Sequence, residues 1–408
     1  MSRQAPISVA IVSNAPAPYR IHLHERIAEE IPSIRLTSIF LADGSNQAWQ
    51  FGDMDHIGAV SVGPGEVLGE KRGLGHAIRK IGRTIAELRL RKPRAVMVGG
   101  YADPACLAAL LWARLTGAKV LMTADSNAAG DRARGAKRWI KNAIVRGVVG
   151  LCDAILPCGL QGRRYYARYG ARADRIFEMP YMGDMRHVRD LPAQRVAEVR
   201  ARYALEIDRR RIVCSGRHVD CKGYDTAIEA FNSIAADRPE WDLVMAGDGE
   251  LRAALEAKVL PGLRDRVVWL GFVKDQEDLV ALYRCSDILL HPARSEAWGV
   301  VIQEAVASGM AVIASDRTGA AADLVHHGEN GFIVPPDDVP ATAKALLQAT
   351  DLDRITELKA GSVDVYERWE TAFDPVAGFA NALHAVGVLP GRDEVDSSSV
   401  FGLKPAAA

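Results

Sequence analysis

The chain is 408 residues long, which is more than one ordinary hydrophobic core covers and is comfortable for two domains. Hydrophobic residues make up 49% and charged residues 25%, the composition of an ordinary globular protein. Lys+Arg and Asp+Glu both total 51, so the net charge gives no support for a nucleic-acid partner.

The six cysteines form no Cys-x-x-Cys pair, and most of them lie in apolar text, as Cys152 and Cys214 do. We therefore expect small buried thiols in a reducing compartment, without a disulfide framework or a zinc site. Residues Met1 to Pro6 lack the basic start and apolar core of a signal peptide, and no run approaches 18 uncharged apolar residues. A protein that is cytoplasmic, or peripheral at the inner face of the membrane, is expected.

Short apolar runs alternate with longer helical patterns through the first half of the chain. Strands are predicted at Ile7–Ser13, Leu36–Leu41, Ala95–Gly99, Lys119–Ala124, Ala154–Cys158 and Ile176–Pro180. Helices are predicted at Arg20–Glu30, His76–Leu90, Pro104–Leu115, Ala136–Val149 and Gln161–Tyr169. Continuous apolar strands separated by helices are typical of a parallel sheet covered on both faces.

The alternation pauses over the charged stretch Met182–Ala204, which is interpreted as a linker leading into a helix. It then restarts, with strands predicted at Arg211–Ser215, Leu243–Ala246, Val267–Leu270, Ile288–His291, Ala311–Ser315 and Phe332–Val334. This restart predicts an α/β protein of two doubly wound, Rossmann-like domains, residues 1–190 and 191–370, facing each other across a cleft. A closing helix is predicted within Trp369–Val386 (residues 371–387), and the Pro/Gly/Ser/Ala-rich residues 388–408 are predicted to be disordered.

A cationic loop follows the first strand of the second half. Gly216 and Arg217 come directly after Ser215, and Lys222 precedes a helix that begins near Tyr224. A strand-to-helix turn presents backbone N–H groups and the positive end of a helix dipole. With a guanidinium and an ammonium added, the loop is suited to clamp two phosphates, although a solvated Arg and Lys are the alternative.

Glycine turns end the next two strands. Gly247 follows one strand, and Phe272 and Val273 follow the other. The carboxyl ends of strands are where open α/β sheets bind ligands. The glycine lets the backbone approach a flat base, and the peptide groups of Phe272 and Val273 could read the edge of that base. Tight turns without a ligand are the alternative.

Two glutamates, Glu296 and Glu304, flank the start of a helix predicted near Gly299. If the intervening span were all helix it would rise about 12 Å, roughly the reach from a ribose across a diphosphate to a hexose. The N–H groups of Trp298, Gly299 and Val300 would then point at the diphosphate. Glu304 would accept ribose hydroxyls and Glu296 would meet sugar hydroxyls. Capping and dipole compensation are the alternative for two acids at a helix start.

The same region contains the run SEAWGVVIQEAVASGMAVIASDRTGAAADLVHHGENGFIVPPDD. It resembles the signature region of the retaining, GT-B-fold glycosyltransferases of family 4 (glycosyl transferases group 1). Glu296 and Glu304 match the E-x₇-E pattern of that family. Ala307–Ile313 match the strand pattern that follows, with Met310 and Ala311 where a proline is common.

The resemblance extends on both sides of the glutamates. Gly319–Gly331 match a glycine-rich turn of the family, with Asp323 in the usual place of a glutamate. Gly216, Arg217 and Lys222 match its diphosphate clamp. The resemblance is dense over residues 211–345 and holds in outline elsewhere.

This resemblance implies a GT-B fold and the transfer of a hexose-type sugar from a nucleotide-sugar, a UDP- or GDP-sugar, to a glycan or lipid-linked acceptor. Retention at the anomeric carbon and a role in polysaccharide or glycolipid biosynthesis are implied with it. Arg217 and Lys222 would stabilise charge on the leaving diphosphate, so no further cofactor and no metal is expected. No protein nucleophile is evident, which favours a front-face mechanism in which the leaving phosphate takes the acceptor proton.

The first half departs from the family at two places. Tyr19 and Arg20 follow a proline-containing loop where the family has glycines, and they either face the cleft or serve as core and surface. Many members carry a His after the strand that matches Val120–Thr123, whereas this chain has Asp125. Asp125 is a candidate for binding or orienting substrate hydroxyls, with capping as the alternative. Asp103 is a further candidate at a strand end.

Basic residues cluster on one predicted helix beside Trp139 and Ile140. They are Arg132, Arg134, Lys137, Arg138, Lys141 and Arg146. A basic amphipathic helix can lie on an anionic membrane surface or meet a lipid diphosphate, and a solvated helix face is the alternative.

Other functions are weighed against the glycosyltransferase. A nucleotide-sugar epimerase is disfavoured by the glutamate spacing, and a non-catalytic sugar-nucleotide-binding descendant by the intact clamp and glutamates. Dinucleotide oxidoreduction is disfavoured because no G-x-G-x-x-G follows the first strand.

Overall fold

The computed structural model describes residues 5–44, 52–67, 73–131, 135–185, 188 and 190–390. Within these ranges the chain forms two six-stranded sheets, and every strand pair in them is parallel. Helices connect the strands, as parallel pairing requires. The predicted α/β class with two doubly wound, Rossmann-like sheets is confirmed.

The first sheet is built by the first half of the chain. Its strands are β1 (Ile7–Ser13), β2 (Ile34–Phe40), β3 (Val60–Ser61), β4 (Ala95–Gly99), β5 (Lys119–Ala124) and β6 (Ala154–Pro157). Its helices are α1 (Pro18–Glu30), α2 (Leu74–Arg91), α3 (Pro104–Thr116), α4 (Gly135–Leu151) and α5 (Gly159–Arg168). Val9 and Ile11 of β1 pack on the face covered by α1, whereas Ala10 and Val12 pack on the face covered by α2, α3 and α4. Both faces are buried, which explains why the strands are apolar without alternation.

The second sheet follows. Its strands are β7 (Arg210–Ser215), β8 (Trp241–Ala246), β9 (Val267–Gly271), β10 (Ile288–His291), β11 (Ala311–Ser315) and β12 (Gly331–Val334). The helices of this half are α6 (Ala193–Arg202), α7 (Tyr224–Ile234), α8 (Arg252–Lys258), α9 (Gln276–Arg284), α10 (Val300–Ala307), α11 (Ala321–Leu324), α12 (Val339–Ala349) and α13 (Leu352–Ala372).

The two sheets share one strand order. The first runs β3-β2-β1-β4-β5-β6 and the second β12-β11-β10-β7-β8-β9, so the order reverses beside the first strand of each half. In such sheets ligands bind in the crevice outside the carboxyl ends of the strands at the reversal. The fold therefore sets two candidate crevices, one at β1 and β4 and the other at β7 and β10.

The strand predicted at Ile176–Pro180 is not formed as such. Ile176 makes an isolated parallel bridge with Ile155, after a 3₁₀ turn at Ala173–Arg175. The next residues run extended beside β6, and a proline ends the run after little pairing. The short strand β3 went unpredicted, because two residues carry no periodic pattern.

The closing helix is two helices instead of one. After α13, helix α14 (Pro375–Ala385) starts with Asp374 capping the N–H of Ala377 at 2.8 Å. Pro375 has no N–H and cannot continue α13, so the chain turns there. Helix α14 packs on the first sheet, and Val388 and Leu389 join the same core, whereas residues 391–408 lie outside the described residues.

The segment predicted as a linker packs into the core. Met182, Met185, Val188 and Leu191 lie in the core beneath the second sheet. All six cysteines are free; three are buried as expected, whereas Cys221 is exposed. Among the described residues, no helix combines the length and the apolarity that a bilayer crossing needs.

Candidate functional site

Two glycine turns form the floor of the second crevice. Gly216 follows β7 with φ 139°, and a Cβ there would lie 2.9 Å from the Tyr224 hydroxyl. Gly247 follows β8 with φ 143°, and a Cβ there would lie 1.9 Å from the Gly216 carbonyl oxygen. Only glycine fits where two backbone turns touch in this conformation. The ends of β7 and β8 are thereby held in close backbone contact.

The turn after β9 adjoins this floor. The Gly247 N–H donates to the Gly271 carbonyl at 2.8 Å, which draws the residues after β9 toward the glycine turns. The Phe272 side chain is exposed and that of Val273 is buried. The predicted base-reading segment therefore lies beside Gly247, with an aromatic ring at the surface.

The predicted cations lie at the same strand ends. Arg217 follows Gly216 and has an exposed side chain. Lys222 ends a 3₁₀ turn, Asp220–Lys222, and its ammonium donates to Oε2 of Glu296. The loop after β7 and the loop after β10 are thus joined by a partly buried ion pair between two of the predicted site residues.

Glu296 is held as a carboxylate. Burial alone would raise its pKa, but the neighbouring imidazole of His291 and the charge of Lys222 outweigh it and hold the pKa at about 2. His291, the last residue of β10, is fully buried with Nε2 3.6 Å from Glu296 Oε2, and burial lowers its own pKa. Sequence reasoning did not single out His291, although a histidine closing an apolar strand just before Glu296 was a visible signal.

Glu304 has the opposite electrostatic character. Helix α10 begins at Val300, after Gly299 with φ 93°, and carries Glu304 in its second turn. Burial raises the pKa of Glu304 to about 7, although a hydrogen bond from the Tyr283 hydroxyl opposes the rise. Tyr283 also bonds Ser215 Oγ at 2.7 Å, which ties α9 to the end of β7.

Trp298 is anchored by its side chain in the core of the second half. The indole is buried and lies 6.3 Å, centroid to centroid, from Trp369 of α13. This packing fixes the peptide groups of Trp298, Gly299 and Val300 at the N-terminal end of α10. A Cβ on Gly299 would lie 2.9 Å from Thr318 Cγ2, so the turn before the helix is tight.

A cavity of about 380 Å³ lies outside the carboxyl ends of β1, β4 and β5. It is lined by four residues that the sequence singled out, namely Tyr19, Arg20, Asp103 and Asp125. Arg20 donates to the Ala15 carbonyl and lies 5.4 Å from the Tyr19 ring centroid. The Tyr19 ring in turn packs 4.6 Å from that of Tyr181. Both Tyr19 and Arg20 thus belong to the cavity wall.

The two candidate aspartates of the first half have different surroundings. Asp103 caps α3 by accepting the Ala105 N–H at 2.7 Å and pairs with Lys80 at 3.0 Å, which accounts for it structurally. Asp125 precedes an irregular loop, so helix capping does not account for it. Burial raises the pKa of Asp125, Arg20 lowers it and Glu296 raises it. Asp125 is therefore within electrostatic reach of Glu296 across the two halves.

Hydrogen bonds that join the two halves were missed by sequence reasoning. Asn127 donates to the Ala297 carbonyl at 2.7 Å, and Arg317 donates to the Ala129 carbonyl at 2.9 Å. Asp323 accepts the Leu160 N–H at 3.1 Å. Partners more than 160 residues apart leave no local pattern in a single sequence.

Comparison with known proteins identifies the second half. Residues 196–360 match the family model described as Glycosyl transferases group 1, so this segment is a domain of that kind. Alpha-D-kanosaminyltransferase of Streptomyces kanamyceticus is 32% identical over 190 residues, 46% of this chain and 48% of that protein. A GDP-mannose-dependent alpha-(1-6)-phosphatidylinositol monomannoside mannosyltransferase of Mycobacterium tuberculosis is 32% identical over 228 residues, which are 53% of this chain and 58% of that protein. The chain spans about half the length of these curated relatives.

The likeness of the fold covers nearly the whole chain. HepE of Anabaena, solved in complex with UDP and glucose, superposes with a TM-score of 0.70 at 15% identity, covering 94% of this chain and 100% of that one. At this identity the likeness concerns the fold. The predicted GT-B fold is confirmed.

Proposed function

We propose that the chain is a glycosyltransferase that moves a hexose-type sugar from a nucleotide-sugar donor to a hydroxyl acceptor bound by its first half. The observation that carries the proposal is the group at the carboxyl ends of the second sheet. There a cationic loop, two backbone-lined glycine turns and two glutamates of opposite electrostatic character lie around one crevice. The group 1 domain match over the same residues supports it.

On the donor side, we propose that the roles follow the chemistry of each group. Glu304 accepts hydrogen bonds from the ribose hydroxyls. Burial raises the pKa of Glu304 to about 7, and two hydrogen-bond donors would stabilise its charged form. Gly247 and the peptide groups of Phe272 and Val273 face the base. The N–H groups of Trp298, Gly299 and Val300, together with Gly216, meet the diphosphate. UDP- and GDP-sugars are the donors proposed, since HepE binds UDP.

At the reacting bond, Arg217 and Lys222 stabilise the charge that develops on the leaving diphosphate. Lys222 donates to the carboxylate of Glu296, so its ammonium is oriented toward the loop of Glu296. These two cations would supply the charge that a divalent ion supplies elsewhere, and we propose transfer without a metal. We further propose retention by a front-face reaction, in which Glu296 binds sugar hydroxyls and the departing phosphate oxygen takes the acceptor proton.

On the acceptor side, we propose that the cavity of the first half receives a glycan or lipid-linked hydroxyl. Asp125 is proposed to orient that hydroxyl, because it lies half-buried in the cavity wall and its pKa responds to Glu296. Tyr19 and Arg20 would line the path of the acceptor. A role in polysaccharide or glycolipid biosynthesis belongs to this part of the proposal.

We also propose peripheral contact with an anionic membrane surface. Trp139, Ile140 and Ile144 of α4 are exposed, and the helix carries Lys and Arg but no acid. Arg132 and Arg134 of the predicted basic cluster lie outside the described residues. A basic helix with exposed apolar side chains is suited to the interface of an anionic bilayer.

A thermal-shift panel of UDP-, GDP- and ADP-sugars tests the donor part. One nucleotide class should raise the melting temperature in a concentration-dependent manner, since a ligand that binds only the folded state stabilises it. Absence of stabilisation by every member would contradict the proposal. Incubating the stabilising donor without acceptor then separates transfer from epimerisation, because only an epimerase converts the donor alone.

A further inference from the structure

The loop between β5 and α4 connects the two halves of the cleft through one buried side chain. Asn127 lies in this loop, shortly after Asp125, and is 7% exposed. Its Nδ2 donates to the carbonyl oxygens of Glu296 at 3.0 Å and of Ala297 at 2.7 Å. An atom of the first half is thus bonded directly to the backbone of a residue proposed to bind the donor sugar.

The carboxamide of Asn127 is fully used in this position. While Nδ2 donates to the second half, Oδ1 accepts the N–H of Gly130 at 2.5 Å and closes a turn in its own loop. A Cβ at residue 130 would lie 2.9 Å from Oδ1, so the turn is built closely around the amide oxygen. An amide has both donors and acceptors, and no other side chain of similar size provides this set.

The carbonyl that Asn127 reaches is itself anchored in the second half. The Glu296 N–H donates to the Arg317 carbonyl at 3.2 Å, and the Glu296 carbonyl accepts the Gly319 N–H at 3.1 Å. Asn127 supplies the second hydrogen bond to that carbonyl oxygen. The same Arg317 reaches back to the Ala129 carbonyl at 2.9 Å, so three hydrogen bonds fasten this loop of the first half to one segment of the second.

We propose that Asn127 is a positioning residue that holds the cleft closed and fixes the loop of Asp125 against the loop of Glu296. The inference rests on the proposed glycosyl transfer, whose acceptor group lies in one half and whose donor groups lie in the other. The Asn127 amide is committed to backbone partners. It sets the distance between the two loops, and the rate of transfer between bound partners depends steeply on such a distance.

Two substitutions separate the bridge from the turn. Asn127→Asp keeps an oxygen for the Gly130 N–H but has no N–H to offer the Glu296 and Ala297 carbonyls. Asn127→Ala removes both functions without adding charge. Asn232→Ala is the matched control, because the Asn232 amide also bonds a backbone carbonyl, that of Lys258 at 2.9 Å, but does so away from the cleft.

Three measurements test the proposal on the full chain. In kinetic measurements, the kcat of both Asn127 variants should fall by about tenfold to a hundredfold, because misplaced reacting groups react that much more slowly. Titration with UDP should give an unchanged Kd, since the nucleotide contacts lie within the second half. Small-angle scattering without any ligand should give a larger radius of gyration for both variants, and Asn232→Ala should match the wild type throughout.

The scattering and titration measurements need no turnover, so they test the contact made by Asn127 even if the wild type transfers no sugar. Wild-type kcat or a wild-type radius of gyration in the Asp variant would overturn the proposal. Loss of UDP affinity in parallel with kcat would also overturn it, because Asn127 would then support the donor site itself. If Asn127→Ala does not fold, the Asp variant, which keeps the turn, decides the outcome.

Discussion

At the scale of single residues, Glu296 and Glu304 carry the same functional group and are tuned in opposite directions. Lys222 and His291 hold the pKa of Glu296 at about 2, whereas burial beside Tyr283 raises that of Glu304 to about 7. A group ionised throughout the working range suits constant hydrogen bonding to a sugar. A group poised near neutrality couples its ionisation to ligand binding. The environments therefore separate the two glutamates into different roles.

This difference predicts a pH dependence of nucleotide binding. Ribose hydroxyls that donate to Glu304 favour its carboxylate, so the pKa falls below about 7 in the complex. Binding then releases a proton, and the affinity for UDP should weaken as pH falls through about 7 and level off above it. Glu304→Gln should remove this pH dependence and lower the affinity for UDP about tenfold at alkaline pH. Calorimetric titration measures both effects.

His22 and Glu25 line the same pocket as Glu304, so the difference between variant and wild type isolates the Glu304 contribution. Glu256→Gln, at an exposed glutamate paired with Arg252, serves as the control and should behave as the wild type. An unchanged pH profile in Glu304→Gln would remove Glu304 from the ribose site.

Asp323 gives a second prediction, on stability. Burial raises the pKa of Asp323 from 3.8 to about 7, while Glu178 raises it and the Leu160 N–H and Arg164 lower it. A raised carboxyl pKa favours folding below the unfolded value and loses that advantage as pH rises through the folded value. Asn cannot ionise, so Asp323→Asn should melt a few °C above the wild type at alkaline pH and close to it near pH 4.

Differential scanning calorimetry at both pH values measures the effect of Asp323→Asn. A lower melting temperature for the variant at alkaline pH would mean that the bond from the carboxylate to the Leu160 N–H outweighs the cost of its burial. The exposed pair of Asp174 and Arg172 provides a control, and Asp174→Asn should not show the alkaline gain.

Some interactions of single residues could not be predicted from the sequence. Glu296 and Lys222 were predicted to share one site, and the structure joins them in an ion pair. The pairing itself was not predicted, nor was the part of His291, because both depend on which loops the sheet brings together. Asn127 carried no signal at all, since its partners lie 169 and 170 residues away in sequence.

At the scale of elements, the floor of the proposed donor crevice depends on two turns in mutual contact. Gly247 has φ 143°, and a Cβ there would lie 1.9 Å from the Gly216 carbonyl oxygen. Gly247→Ala should therefore destabilise the fold by at least about 2 kcal/mol, because strain and a backbone clash combine. Urea denaturation measures this, and UDP affinity should fall as the floor is displaced.

Gly262→Ala is the matched substitution, at a glycine with nothing within 4 Å of an added Cβ. It should leave both stability and UDP binding near the wild type. Equal effects of the two substitutions would mean that the crevice floor tolerates displacement, and the backbone contact between β7 and β8 would lose its proposed part in the site.

Elements were predicted best where apolar runs are continuous. β1, β4, β5, β10 and β11 match the predicted bounds, because buried parallel strands leave an unbroken apolar run between polar turns. The predicted closing helix failed at Asp374 and Pro375, although both are start signals for a new helix. Apolar periodicity on either side of the break obscured them.

At the scale of the whole molecule, charge and exposed apolar surface are concentrated together on a chain of zero net charge. Helices α2, α3 and α4 cover one face of the first sheet. In sequence they carry ten Lys or Arg and one Glu. Of fourteen large apolar side chains exposed among the described residues, eight lie on these three helices. They are Leu74, Ile78, Leu90, Leu111, Leu115, Trp139, Ile140 and Ile144.

We predict that this outer face of α2, α3 and α4 mediates the proposed membrane contact. Lipid-facing cations add about 1 kcal/mol each near an anionic surface, and the apolar side chains add burial once the cations have brought the helices close. Cosedimentation with phosphatidylglycerol vesicles at low salt should capture the protein, and phosphatidylcholine vesicles should not. Replacing Trp139, Ile140 and Ile144 together by Ala should release about nine-tenths of the bound fraction, as a tenfold loss in affinity implies. Leu352→Ala, at an exposed leucine of α13, should release none. Capture independent of lipid charge, or equal release by both variants, would contradict a docking face on these helices.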